Sequence, residues 1–277
     1  MKKTCLLAVL ALAAVLLVVP MVAQAEMYVE GYVGGGFAGD VGDNSARPKF
    51  TGGVFNGIYT VGSLPGHAQP YVLGGVKVGT WFVKEGFLGY NYPDWMKYLG
   101  FYLDFCYHRL SLKNQSFGVV NYNANGTVNS AGNDEFKTDG SAATLAFMFA
   151  ARYGFFQDSE VPFGRLQPYV AVGPAILFSS QQPTLNYMNN LAPGFIATST
   201  TFGSRSSADI CLAVDAGLRY MALKNVSIDA SFKYRWANPS YNFSGSYANG
   251  LASGPVSFTY SPTYNLFSFQ LGAAYHF

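Results

Sequence analysis

Strict period-two alternation is the feature that most narrows what this chain can become. From Leu99 to Arg109 the odd positions read Leu99, Phe101, Leu103, Phe105 and Tyr107, and the even ones Gly100, Tyr102, Asp104, Cys106 and His108. Successive side chains of a strand point to opposite faces, so this segment has one greasy face and one small or polar face. A helix would bury neither set cleanly.

The pattern recurs seven more times. A first strand over 27–38 turns Val29, Val33 and Phe37 outward and Tyr28, Glu30, Tyr32 and Gly34 inward. A second, 70–83, sets Val72, Val76, Val78 and Phe82 against Leu73, Gly75, Lys77 and Trp81. Residues 99–109 are the third. The fourth, 140–155, faces Thr144, Ala146, Met148 and Arg152 inward, and the fifth, 166–179, does so with Gln167, Tyr169, Ala171 and Gly173. The sixth, 208–222, turns in Asp209, Cys211, Asp215 and Arg219; the seventh, 225–238, Asp229, Ser231, Lys233 and Arg235. The last, 264–277, has Phe267, Phe269, Leu271, Tyr275 and Phe277 outside and Ser268, Gln270, Gly272 and His276 inside.

Eight strands is an even number, and each is long enough for the roughly 9–11 residues that cross a bilayer at a tilt. The connections alternate as well. Those at 39–69, 114–139, 180–207 and 239–263 are long and rich in Asn, Ser, Thr and Gly, whereas those after strands two, four and six are shorter, down to Leu223-Lys224-Asn225. Long loops on one side and short turns on the other suit an outer-membrane barrel. The segment 84–97, with Pro93-Asp94-Trp95, is the weakest join in this topology.

Composition agrees. Aromatic residues make up 17% of the chain and charged residues only 12%, against about 25% charged in a soluble domain. At the N-terminus, Lys2 and Lys3, the apolar run Leu6 to Val19 and the small-x-small triplet Ala23-Gln24-Ala25 read as a secretory signal cleaved after Ala25. That division gives residues 1–25 as signal peptide and 26–277 as barrel with long extracellular loops. Loss of Lys2 and Lys3 takes 17 basic residues to 15, against 15 acidic, so nothing electrostatic points to nucleic acid as a partner. Cys106 and Cys211 fall on nearly opposite strands of the lumen, beyond the roughly 7 Å reach of a disulfide, and are expected as free buried thiols.

The class that follows is all-β: a transmembrane, antiparallel, up-and-down β-barrel of eight strands. Ten strands is the alternative, if Lys49–Thr60 or part of 186–198 forms another membrane-crossing hairpin. A secreted β-sandwich also alternates, but its polar face should be charged and solvated.

The last strand carries a more specific pattern. Gln270-x-Gly272-x-x-Tyr275-x-Phe277 resembles the terminal strand signal of outer-membrane proteins, and Tyr32-Val33-Gly34-Gly35-Gly36-Phe37 looks like the first strand of small OmpA-type and opacity-type barrels. The resemblance implies a Gram-negative outer-membrane location after export, and the barrel-assembly machinery as a partner reading Gln270, Gly272, Tyr275 and Phe277. It departs from the OmpA pattern in that no peptidoglycan-binding segment follows Phe277.

An eight-stranded barrel is narrow enough for its own side chains to fill it. The inward charges balance, Glu30, Asp104, Asp209, Asp215 and Asp229 against Lys77, Arg152, Arg219, Lys233 and Arg235, with His108 beside them. Buried charges are costly unless paired, so the balance predicts a neutralised network and a plugged or very narrow lumen, with Tyr28, Tyr32, Tyr102 and Trp81 filling the remainder. A porin or channel for small or hydrophobic molecules is the alternative, with Pro174 as a place where a missing ladder donor could weaken the wall.

No enzyme is expected. The histidines are His67, His108 and His276. His108 lies roughly 13 Å along the strand from Asp104. A lipid A deacylase-like site would want His-x-Ser where the chain has His108-Arg109-Leu110. Omptin-like acidic pairs with a His cannot be assembled at the rim either. No cofactor or metal site is read: His108, Asp104 and Cys106 lack a second His. At the rim, Arg109 and Lys113 are candidates for lipopolysaccharide phosphate, which a guanidinium can bridge. The expected partners are thus outer-membrane lipid and lipopolysaccharide, the assembly machinery, and an unidentified extracellular ligand for loops that intersperse Tyr187, Phe195, Tyr241 and Tyr247 among small polar residues. The barrel is expected as a monomer.

Overall fold

The computed structural model describes residues 26–277 apart from 40, 42–48, 51–56, 62–65, 84–91, 123–124, 126, 188–197 and 249–252. The expected signal peptide and its cleavage site at Ala25 lie outside the described residues. In chain order the strands are β1 (Glu26–Ala38), β2 (Lys49–Phe50), β3 (Gly57–Val61), β4 (Tyr71–Trp81), β5 (Leu99–Arg109), β6 (Leu112–Tyr122), β7 (Val128–Arg152), β8 (Leu166–Tyr187), β9 (Thr198–Thr201), β10 (Arg205–Leu223), β11 (Val226–Ala237), β12 (Tyr241–Ala248), β13 (Ser253–Tyr260) and β14 (Tyr264–His276). The join before β5 contains a short 3-10 turn, Asp94–Tyr98.

Eight of these strands close a wall. The antiparallel order β1-β4-β5-β7-β8-β10-β11-β14 returns to β1, so no edge is left open. Following paired residues around it, Glu26, Trp81, Gly100, Ala150, Ala171, Asp215, Lys233 and Ser268 lead back to β1 at Gly36, a climb of ten residues per circuit. With about 3.3 Å per residue and about 4.8 Å between strands, that stagger tilts the strands about 40° and sets a backbone radius of about 8 Å. Little more than one side chain from each direction fits inside.

The outer face is the greasy one. Val33, Val72, Phe149, Val172 and Leu271 are exposed, Val72 at 81%. Tyr107, Phe178 and Trp236 stand toward the loop end and Tyr153, Tyr220 and Tyr275 toward the turn end. No helix among the described residues is long and apolar enough to cross a membrane; the wall crosses with strands, its backbone groups paired around the ring. Close packing demands small residues at particular points. A Cβ on Gly217 would stand 2.6 Å from the Tyr169 ring, and one on Gly173 would collide with the Phe147 carbonyl.

The third strand, 99–109, lies where the alternation puts it. Others run further: β7 and β8 continue past the wall toward the loops and there carry a second tier. In this canopy β6 pairs with the upper half of β7, β3 with β6, β2 with β3, β13 with β2, β12 with β13, and β9 with the top of β8. β2 and β3, the described parts of Lys49–Thr60, therefore belong to the canopy, residues 188–197 of the other candidate hairpin lie outside the described residues, and the described wall has eight strands. Asp134, Phe136 and Thr138 are buried beneath the canopy, continuing the period of two in a stretch whose composition reads as loop.

Candidate functional site

The lumen is the site that the wall builds, and it is filled in layers. At the turn end, Arg152 of β7 lies between two rings, its guanidinium carbon 4.1 Å from the Trp81 centroid and 4.0 Å from that of Phe163. Its Nη1 donates to Glu26 Oε1 at 2.7 Å and to Gln167 Oε1 at 2.9 Å, and its Nη2 to Glu26 Oε2 at 2.5 Å. Rings on both faces and a bidentate carboxylate at the edge satisfy a planar cation in the way lysine could not. Phe163 comes from the turn 153–165. There Asp158 accepts backbone N–H bonds from Val161 and Glu160 and pairs with Arg165. Arg165 also donates to the Met221 and Ala222 carbonyls at 3.2 and 3.4 Å, tying this turn to the next. The Val161 N–H, with Arg165, holds the Asp158 carboxyl below its ordinary range.

The middle layer is ionic. Lys77 Nζ is 2.9 Å from Glu30 and 3.6 Å from both Asp215 and Asp229. Arg219 Nη2 donates to Glu30 Oε2 at 2.5 Å, and its Nε lies 3.5 Å from Asp229. Lys233 pairs with Asp104 and stands 3.7 Å from Asp215. Tyrosines complete it: Tyr102 donates to Asp215 at 2.9 Å, Tyr169 to Asp229 at 2.9 Å and Tyr32 to Asp104 at 2.5 Å. Lys77, Asp104, Asp215, Arg219, Asp229 and Lys233 are each no more than 2% exposed.

Above this, Arg235 Nη2 donates to Cys106 Sγ at 3.0 Å, and Tyr71 stacks on His108 with centroids 4.2 Å apart. Beneath the canopy the filling turns aromatic. Phe202 meets Phe258 at 5.1 Å edge-on, and Phe243, Tyr241, Tyr260 and Phe136 continue the cluster.

The structure brings Glu30, Lys77, Asp104, Asp215, Arg219, Asp229 and Lys233 together as the alternation predicts, with Arg152 one layer below and Arg235 one above. Two expected members do not join. Asp209 is half-buried and accepts from Ser207 Oγ at 2.5 Å. β11 parts from β10 at Cys211–Ala237, so Asp209 has no partner residue on β11 and pairs with Leu177 of β8 alone among the wall strands. His108 is buried, but its Nδ1 meets the Arg109 carbonyl at 2.9 Å and its ring packs on Tyr71 rather than on Asp104.

Glu26 takes the place left by Asp209, so five acids again oppose five bases: Glu26, Glu30, Asp104, Asp215 and Asp229 against Lys77, Arg152, Arg219, Lys233 and Arg235. The sequence held the signal, since Glu26 shares parity with Tyr28 and Glu30.

Cys106 and Cys211 are free and buried, as expected. Gln270 and Gly272 face inward on β14; Tyr275 and Phe277 face outward and meet edge-on at 5.2 Å. Arg109 and Lys113 are exposed at the rim. Ser227 Oγ lies 2.8 Å from His276 Nε2, and His276 Nδ1 lies 3.7 Å from Glu26. This has the order of a nucleophilic triad, yet Ser227 has no accessible surface, so no substrate carbonyl meets it here.

The geometry defines a closed, eight-stranded transmembrane β-barrel with an occluded lumen. No protein-family model matches the chain, and no curated protein does. Among solved structures the chain is similar to neisserial surface protein A (13% identity, 91% of this chain and 97% of that one, TM-score 0.35). It is also similar to the outer membrane protein OprG from Pseudomonas aeruginosa (15%, 92% and 97%, 0.40) and to the outer membrane protease OmpT from Escherichia coli (9%, 94% and 99%, 0.41). The fold assignment rests on the strand pairing of the chain itself.

Proposed function

We propose that this chain is a Gram-negative outer-membrane protein of the OmpA/opacity type that works through its wall and canopy, as a structural and surface-interaction barrel, and does not conduct solutes. One observation carries the reading: the buried Glu30, Asp104, Asp215 and Asp229 and the half-buried Glu26 interlock with the buried Lys77, Arg152, Arg219 and Lys233 across a lumen about 8 Å in backbone radius. A conducting pore keeps water along its axis, whereas here ion pairs and tyrosine rings occupy the cross-section. The channel alternative gains nothing from Pro174. Ladder pairing between β7 and β8 is interrupted beside it, at Phe147 and Met148, but resumes at Phe149–Val172, and the Gly173 backbone presses against the Phe147 carbonyl.

On this reading the protein is exported and inserted as a monomer, with the inward polar and outward aromatic residues of β14 presented to the assembly machinery. The canopy is extracellular and meets the outside ligand. The test is conductance of the purified full chain in planar bilayers, alongside density fractionation of cell membranes. A silent bilayer and an outer-membrane fraction are expected. Large, stable openings would contradict the closed lumen, and recovery in the inner-membrane fraction would contradict the location.

A further inference from the structure

On the outer face between β5 and β10 the strands leave the apolar band at a clear edge. Tyr107 gives way to Arg109 on β5, Phe178 to Ser180 on β8, and Ile210 to Ala208 and Ser206 on β10. The register above that edge places cations and hydroxyls in rows. Arg109 pairs with Ser141, Ser141 with Ser180, and Ser180 with Ser206; the Ser180 and Ser204 hydroxyls lie 2.8 Å apart. Higher up, β6 bulges between Leu112–Thr138 and Gln115–Phe136, which sets Lys113 and Asn114 opposite Lys137. Lys137 pairs with Thr184 and Thr184 with Thr201, whose hydroxyls are 3.1 Å apart.

Arg109, Lys113 and Lys137 are all exposed and, among the described residues, none of them takes part in an ion pair. Two carboxylates flank Lys137 on the same strand face: Asp139, exposed beside Gln182 between the two rows, and Glu135, which accepts from Asn114 and Asn186 at 2.8 and 3.1 Å. Like charges directly opposite on neighbouring strands are unfavourable, and the patch keeps a net charge of +1, three cations against Glu135 and Asp139, with Glu135 engaged by two amides rather than by a lysine.

We infer that this patch binds the phosphorylated sugar headgroup of an outer-leaflet glycolipid, with Lys113 and Lys137 on a phosphate and Arg109 and the serine and threonine hydroxyls on phosphate and sugar oxygens. Charge and place select that occupant. Arg109 stands just above the last outward aromatics, at the depth where lipid headgroups begin. Lys113 and Lys137 lie a few residues further out where a phosphorylated saccharide extends, and the hydroxyl rows suit a saccharide more than a bare anionic lipid. The inference rests on the outer-membrane location proposed above and extends the rim pair Arg109 and Lys113 to Lys137, which sequence parity alone does not bring to them.

The test uses the full chain in zwitterionic detergent, incubated with bisphosphorylated lipid A, monophosphoryl lipid A or phosphatidylglycerol, with retained lipid counted by native mass spectrometry. The wild type should hold bisphosphorylated lipid A, less of the monophosphoryl form, and little phosphatidylglycerol. Lys113→Gln with Lys137→Gln should weaken lipid A binding about tenfold, as loss of a charged hydrogen bond or two would. Both substitutions are on exposed positions, so the urea unfolding midpoint should not move. Equal lipid A retention by the double variant overturns the inference, and so does equal retention of phosphatidylglycerol by the wild type. Fractionation separates the two readings: a chain found in the outer membrane that shows no lipid A preference sinks this inference alone.

Discussion

Lys77 stands where three carboxylates and three tyrosine rings converge, 2.9 Å from Glu30 and 5.3, 5.8 and 5.8 Å from the Tyr32, Tyr102 and Tyr169 centroids. Replacing one partner of a buried cluster is costly because the others stay charged. Lys77→Met should therefore destabilise the barrel by about 3–5 kcal/mol, read as a lower urea midpoint in lipid, and an unchanged midpoint would show that the carboxylates find water or protons instead. Asp158 gives the opposite kind of residue, exposed and outside the wall. Its carboxyl is held below its ordinary value of 3.8, first by the Val161 N–H and then by Arg165. A depressed carboxyl stabilises the fold above its unfolded pKa, and that contribution is lost as pH falls through the folded value. Amide protection at Glu160 and Val161 should thus persist near neutrality and fall away below pH 3.8. In Asp158→Asn the acid-dependent step should disappear; if it stays, another group controls the turn. Parity made most lumen residues legible at this scale. Asp209 and His108 obey the parity, but their partners depend on where β11 leaves β10 and on the Tyr71 ring, which no spacing along a single strand encodes.

Each canopy strand is too short or too polar to declare itself alone. Val128–Gly140 reads as loop because Asn, Ser, Asp and Gly fall on both of its faces, yet it forms the upper half of β7, with β6 on one side and β8 on the other. Its strand character comes from those neighbours, so hydrophobic alternation could not reveal it. The wall strands differ because lipid on one side and a packed lumen on the other impose two environments on every residue pair, and β5 was legible to the residue. The β12–β13 hairpin is held from within, by Phe202 against Phe243 and Phe258 and by Gly245, where a Cβ would come within 3.0 Å of the Phe202 ring. Phe202→Ala removes that wedge, and burial losses of this size cost about 3–5 kcal/mol. Limited proteolysis should then nick the hairpin while the wall strands survive intact. Equal resistance in variant and wild type would mean that the canopy is held by its backbone ladder rather than by its aromatic centre.

Across the whole molecule three different kinds of filling lie in series along one axis: the ring-clamped Arg152 layer, the ionic middle and the aromatic centre of the canopy. Layers in series back one another up, because ion flow is set by the tightest. Eight strands with a stagger of ten leave a bore that tyrosine and lysine side chains close unaided, so the canopy is not needed as a stopper. Replacing residues 240–261 by a short turn removes β12 and β13 yet leaves Lys77, Arg219 and Lys233 interlocked with their carboxylates. That deletion should remain silent in planar bilayers. Adding Lys77→Ala, Tyr102→Ala and Arg152→Ala removes a central cation, a ring that donates to Asp215 at 2.9 Å and the clamped guanidinium of the turn-end layer, and brief openings are expected only in that combination, because the middle layer then carries unpaired carboxylates that draw in water. Stable openings from the canopy deletion alone would place the seal above the membrane and make the ionic layer a stabilising network that water can pass.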